Sequence, residues 1–328
     1  DATFDMNNQD QSLSALSSGL DDKNLQEPKV KLGGGANGTL TISEGAGENE
    51  NFTGVISGTG SVVKEGAGTQ TLGTANTYDG TTTVNGGTLE LGFADGVTTG
   101  PITNDANLKL NQASGNEVTL NGLQGTGDFR KTGEGSAILD GASNNYGSLT
   151  VEQGNLQASP DSLKNGGANF NESSVTTEKG GTFTLDISGS SETWNGTGND
   201  SLVTGSGTLS VDNDPNNTGP NNNKLIVAPS GSIDQLTTDG VTLDVRSTAT
   251  VDIDSPQTFG GLSGSSGSTL NIDDINDGDL ILDQQDKDTT YLGGFIGASK
   301  ITKQGSGTLT LDADVAANQL DQGQIDVT

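Results

Sequence analysis

Short apolar alternations, each opened by a glycine, recur along this chain with polar spacers between them. The phrase Gly-[Ser/Thr]-[Leu/Phe]-x-[Leu/Ile/Val] starts at Gly38, Gly87, Gly147, Gly181, Gly207 and Gly307, and a variant with one extra residue starts at Gly267. Apolar residues two apart with a polar residue between them predict short β-strands with one buried face. The pairs expected to face inward are Leu40 and Ile42, Leu89 and Leu91, Phe183 and Leu185, Leu209 and Val211, Leu243 and Val245, and Leu309 and Leu311. Glycine and asparagine between the strands supply the positive-φ corners. One such strand buries almost nothing alone, so the copies must stack, and the pattern predicts an all-β solenoid. With about 20 residues per coil and about 4.8 Å between coils, it makes roughly 15 coils and a rod of about 70 Å.

Larger units contain the phrase. Lys64, Lys131 and Lys303 align, each followed by glycine two and four positions later and by leucine eight positions later (Leu72, Leu139, Leu311). Tyr78 and Tyr146 match after one insertion, which predicts a structural corner role for both. The only helical pattern lies at residues 11–20, with Leu13, Leu16 and Leu20 on one face. It would cap the stack, so residues 1–30 are read as an N-terminal cap or partly ordered segment and 31–328 as the solenoid. Residues 212–223, DNDPNNTGPNNN, read as a loop leaving the coils.

Composition narrows the chemistry. Hydrophobic residues make up 29% and aromatics 4%, with 51 glycines in 328 residues, which suits a thin stacked core rather than a wide one. Without cysteine or histidine the chain has no disulfide, thiolate nucleophile, imidazole metal ligand or Ser-His-Asp triad. The formal net charge of −29 argues against nucleic-acid partners, and contact with another acidic surface would need salt or divalent cations as a screen. No stretch has the length and apolarity of a membrane span, so no direct membrane insertion of this segment is expected.

The lysine-containing units resemble the autotransporter-associated β-strand repeat. Residues 58–91 match it at Gly58, Gly60, Lys64, Gly66, Gly68, Leu72, Asn76, Tyr78, Gly80, Thr82, Val84, Gly87, Leu89 and Leu91. Residues 125–158 match with one insertion, and residues 297–327 match in the first half. The resemblance implies a right-handed parallel β-helix of the pertactin-like passenger kind, exported by type V secretion through the outer membrane and displayed or shed at the cell surface. Many relatives are adhesins that promote self-association, biofilm growth or host attachment. A C-terminal membrane barrel is expected in the full-length protein, and a passenger fragment is the expectation for this segment.

Candidate sites are few. Trp194 would stack on a sugar or anchor a partner, or else fill a wider coil. Asn216, Asn217, Asn221 and Asn222 make the 212–223 loop a candidate recognition element, against the plainer reading of a solvated linker. Asp273 and Asp274 resemble the paired aspartates of β-helical glycoside hydrolases, although the histidine-centred motif of that family is missing. No cofactor is implied, and the one metal to weigh is calcium. Residues 195–202, including Asp200, match the nonapeptide calcium repeat except at its first glycine, but the next repeat has Leu209 where aspartate is required. The acidic run with Asp273, Asp274 and Asp277 fails the EF-hand pattern because Ile275 falls on a ligand position. The sequence reading is therefore a non-enzymatic adhesin, whose partner is itself on a neighbouring cell, or a host glycan or matrix protein. A polysaccharide-active enzyme and a passive stalk are the alternatives.

Overall fold

The computed structural model describes residues 3–18, 28–33, 38–73, 75–141, 144–163, 174–189, 191–194, 201–213, 223–227, 236–237, 240–272, 280–297, 300–311, 319–320 and 325–327. The chain divides into two compact units, Asp1–Leu156 and Gln157–Thr328. Apart from one 3-10 turn at Asp161–Leu163, the described elements are short strands.

In the first unit one face stacks Gln11–Leu13, Thr39–Ser43, Ser61–Glu65, Thr82–Val84, Ile102–Asn104 and Leu123–Gln124. A second stacks Asn49–Phe52, Thr69–Leu72, Thr88–Leu91, Asn107–Asn111, Asp128–Thr132 and Ser148–Val151. The pairing is parallel and in register, so Leu40, Val62, Thr82, Ile102 and Leu123 form one inward column. Strand partners on adjacent coils of these two faces lie 19 to 22 residues apart in sequence, except for the 29 between Gln11–Leu13 and Thr39–Ser43. In the second unit Gly181–Asp186, Thr208–Asp212, Thr242–Val245 and Gly261–Gly264 likewise put Phe183, Leu209, Leu243 and Leu262 in one buried column.

The alternation predicted from sequence is the one observed. Leu40, Ile42, Leu89, Leu91, Phe183, Leu185, Leu209, Val211, Leu243 and Val245 are all buried. Leu309 and Leu311 are only half-buried. Their strand pairs with Thr289–Tyr291 on one side, and no described strand follows it in that sheet. The helix expected over residues 11–20 is corrected. Gln11–Leu13 is a strand in register with Leu40–Ile42, and residues 14–18 are not helical. Three leucines at helical spacing are outweighed by an edge that offers a ready backbone ladder. Residues 19–20 lie outside the described residues.

The aligned residues of the repeat make the corners. Lys64 and Lys131 point inward and are fully buried. The Lys64 ammonium donates to the carbonyls of Glu65, Gly66 and Gly86 and pairs with Glu44 at 3.0 Å, with both side chains fully buried. Lys131 donates to Thr132 O at 2.9 Å, Gly133 O at 2.8 Å and Gln153 O at 3.2 Å. Lys303 repeats the grip on the following turn, donating to Gly305 O at 2.8 Å. Each lysine thus ties down the corner that follows it. Gly66 and Gly133 must be glycine there, at φ +72° and +74°, with the carbonyls of Glu44 and Gln112 where a Cβ would go. Glu44 lies two residues beyond Ile42, on which Lys64 stacks; Gln112 stands in the same place relative to Lys131 and binds the backbone of Phe93 instead.

Asparagine clasps another corner. Asn76 accepts from Ile56 N–H at 2.9 Å and donates to Gly92 O at 2.8 Å; Asn144 accepts from Leu123 N–H at 2.6 Å and donates to Gly141 O at 3.0 Å. Tyr78 and Tyr146 are buried beside these clasps, and the Tyr78 hydroxyl meets Thr82 Oγ1 at 2.9 Å. Both tyrosines are corner residues, as the repeat implied.

Two outcomes follow for stability. Lys64→Met strands a buried carboxylate at Glu44 and is expected to cost about 3–5 kcal/mol, whereas adding Glu44→Gln restores most of that loss. Denaturation midpoints of the single and double variants check this. Burial pulls the Lys131 ammonium from 10.5 down to about 8. Between those values the unfolded chain binds more protons at this position, so the folded state gains stability as pH rises from 8 towards 10.5. The wild-type midpoint should climb relative to Lys131→Met across that window, and not below it.

Candidate interaction face

With the inward residues and corners committed to the fold, the outward alternates are the side chains left facing outward. On the second face of the first unit they form two columns. One runs Asn49, Thr69, Thr88, Asn107, Asp128 and Ser148, and the other runs Asn51, Thr71, Glu90, Lys109, Arg130 and Thr150. All but Thr150 are half-buried or exposed. In-register parallel pairing fixes these polar atoms about 4.8 Å apart along each column. Bonds between coils hold them further: Ser148 Oγ donates to Asp128 Oδ1 at 2.6 Å, Asn111 to Glu90 at 3.0 Å, and Arg130 pairs with Glu152 at 2.8 Å. The neighbouring face is richer in threonine, with Thr41, Val63, Thr83 and Thr103 in one outward column. Thr81 there donates to Ser61 Oγ at 2.8 Å.

The second unit carries a polar groove of about 620 Å³ that sequence reasoning missed. Asp212, Asp244, Arg246 and Ser263 line it together with the turn residues Ser247 and Ser265. Arg246 binds Asp244 through Nε, Ser263 donates to Asp244 at 3.0 Å, and Ser247 donates to Asp212 at 2.7 Å. Ser247 has φ +52°, an uncommon conformation for a residue other than glycine. Asp244 and Ser263 are paired neighbours on adjacent strands, so register is the signal that brings them together. The carboxylates already hold protein donors, and the groove offers a mixed donor and acceptor surface to a polar ligand.

The residues singled out from sequence fall differently. Trp194 is fully buried, in register with Val227, so it fills the coil and has no ring face open to a sugar. Of the two readings of Trp194, ligand-stacking or coil-filling, its burial supports the second. Asn216, Asn217, Asn221, Asn222, Asp200, Asp273, Asp274 and Asp277 lie outside the described residues. The two sides of the 212–223 segment are anchored. Asn213 bonds to Thr248 at 3.1 Å, and Asn223 donates to the carbonyls of Ile187 at 2.9 Å and Ser188 at 3.0 Å. Among the described residues no group of three or more acidic, histidine or cysteine side chains could hold a metal ion. No described helix is long and apolar enough to cross a membrane.

The passenger-associated transport repeat matches residues 62–91, 129–158 and 301–317. A stretch of 138 residues is 38% identical to the adhesin BmaC autotransporter of Brucella suis biovar 1 (strain 1330). That stretch covers 42% of this chain and spans 4% of the length of that relative. No solved structure matches the chain. The matched repeats hold the lysines, asparagines and tyrosines that make the corners, and over these residues the chain is similar to the passengers of bacterial autotransporters.

Proposed function

We propose that this chain is an adhesive segment of an autotransporter passenger, carried through the outer membrane to the cell surface. There it contacts a second copy on a neighbouring cell, or a host glycan or matrix protein, through its outward polar columns. The observation that carries the reading is the division of labour across each strand. Apolar alternates are buried in the core, while Asn, Thr, Asp, Glu, Lys and Arg alternates stand in fixed, regularly spaced rows. Such rows present a ladder of polar groups rather than a single enclosed pocket. Many weak polar contacts in parallel, made between cells that each display many copies, reach useful strength by avidity. Similarity to a protein named as an adhesin supports the same reading.

Charge sets a condition on self-association. Two chains of formal charge −29 repel one another at low ionic strength. Clumping between identical cells should therefore strengthen as salt rises from low to moderate concentration.

Cells displaying residues 1–328 on an outer-membrane barrel should clump, or retain matrix protein or glycan, above a barrel-only control. Replacing Glu90 and Lys109 together by alanine should weaken that adhesion, each lost contact being worth about 1 kcal/mol or roughly fivefold. The denaturation midpoint should change little, because surface substitutions away from the core usually stay within about 0.5 kcal/mol. Absence of adhesion in both assays would sink the reading.

A further inference from the structure

We propose that Asn85–Gly86 is a site of spontaneous deamidation, and that the carboxylate it creates loosens the corner built on Lys64. This inference is independent of the adhesive reading.

The chain has five Asn-Gly dipeptides, at residues 37, 85, 121, 165 and 195. Two of them lie wholly within the described residues, and they differ in the group that matters. Deamidation begins when the glycine nitrogen attacks the asparagine side-chain carbonyl, forming a C–N bond and expelling ammonia. Water then opens the resulting succinimide at either carbonyl, leaving aspartate or isoaspartate. The net change is uptake of one water and loss of one ammonia, with no oxidant or cofactor. A glycine N–H held by a carbonyl is a poor nucleophile in this step. The Gly122 N–H is held by two, donating to Leu120 O at 3.1 Å and Asp140 O at 3.2 Å. The Gly86 N–H donates to none, and Asn85 is exposed. Packing also retains the reactive dipeptide, because a Cβ at position 86 would lie 2.9 Å from Gly66 O.

The product charge would fall in an unfavourable place. Lys64 pairs with Val84, and the Asn85 and Asp105 N–H groups continue the ladder, bonding to Lys64 O at 2.9 Å and Val84 O at 2.8 Å. Glu65, Asn85 and Asp105 therefore stack in one outward column, with Asn85 as the neutral member between two acids. A carboxylate at 85 gives three like charges about 4.8 Å apart, an arrangement that destabilises strand pairing. Isoaspartate also lengthens the backbone beside Gly86, whose carbonyl receives the Lys64 ammonium at 3.4 Å.

The second repeat shows what an acid needs at this position. Glu152 is its counterpart, with its N–H on Lys131 O at 2.9 Å as that of Asn85 is on Lys64 O. Glu152 is paired with Arg130 at 2.8 Å. The residue preceding Lys64, where the second repeat has Arg130, is Val63. At the position of Arg130 the first repeat thus offers valine, not a cation, to an acid at 85.

Peptide mapping of the intact chain, aged folded in warm, mildly alkaline buffer and in parallel in denaturant, tests the chemistry. Asn85 should convert several-fold faster than Asn121 in the folded chain, and the two should converge in denaturant. Equal or reversed folded-state rates would overturn the proposal. The consequence is read from Asn85→Asp against Asn85→Gln. The aspartate variant should unfold at a lower denaturant midpoint, and Val63→Arg should close the gap. An aspartate variant as stable as the glutamine variant would overturn the proposed loosening.

Discussion

Backbone hydrogen bonds between the described strands run from each coil to the next, between residues 19 to 34 apart in sequence, and that stacking dictates the chemistry at each position. A coil can lie on its neighbour only if its strands are short, parallel and in register, with the same side turned inward. Slipping a strand by one residue would bring Thr41 into the core and turn Leu40 and Ile42 to water. The thin core then needs only one side chain per position per coil, which is why leucine, isoleucine and valine suffice and aromatics are few. Its cost appears at the corners, where the ladder is interrupted and carbonyl groups turn inward without strand partners.

The lysines and asparagines answer that cost. A buried ammonium is expensive unless several acceptors surround it; the turn after each of Lys64 and Lys131 supplies two carbonyls, and the next coil supplies a third. Asn76 and Asn144 add neutral clasps that bind one coil to the one before it. These groups occupy the segments that match the passenger-associated transport repeat. The repeat is thus the part of the chain most fully spent on structure, and its outward alternates are the part free to vary.

Much of this was legible before any coordinates. Alternation at Leu89 and Leu91 or Phe183 and Leu185 names both strand and face, because period two has one structural meaning. The alignment of Lys64 with Lys131 and Lys303 identified a repeated role but could not say that the side chain points inward, since lysine is ordinarily a surface residue. Glu44 was invisible because its partner is 20 residues away and no local pattern joins them. The leucines of residues 11–20 misled for the opposite reason: local spacing was clear, yet an adjacent strand edge decided the outcome. Trp194 could be read either way until register with Val227 put it inside. The groove around Asp244 and Arg246 needed register too, because its residues come from different strands.

Register is therefore the claim to test, and the absence of cysteine makes the test clean. Thr83 and Thr103 are paired on adjacent coils, and Gln124 stands one coil further along the same outward column. Nitroxides attached at Thr83→Cys and Thr103→Cys should show strong spin exchange, as expected for backbones about 4.8 Å apart. The pair at Thr83→Cys and Gln124→Cys, about twice as far apart on the same spacing, should couple distinctly more weakly. Equal coupling in the two pairs, or stronger coupling in the second, would contradict in-register stacking and the division between core and outward-facing residues that rests on it.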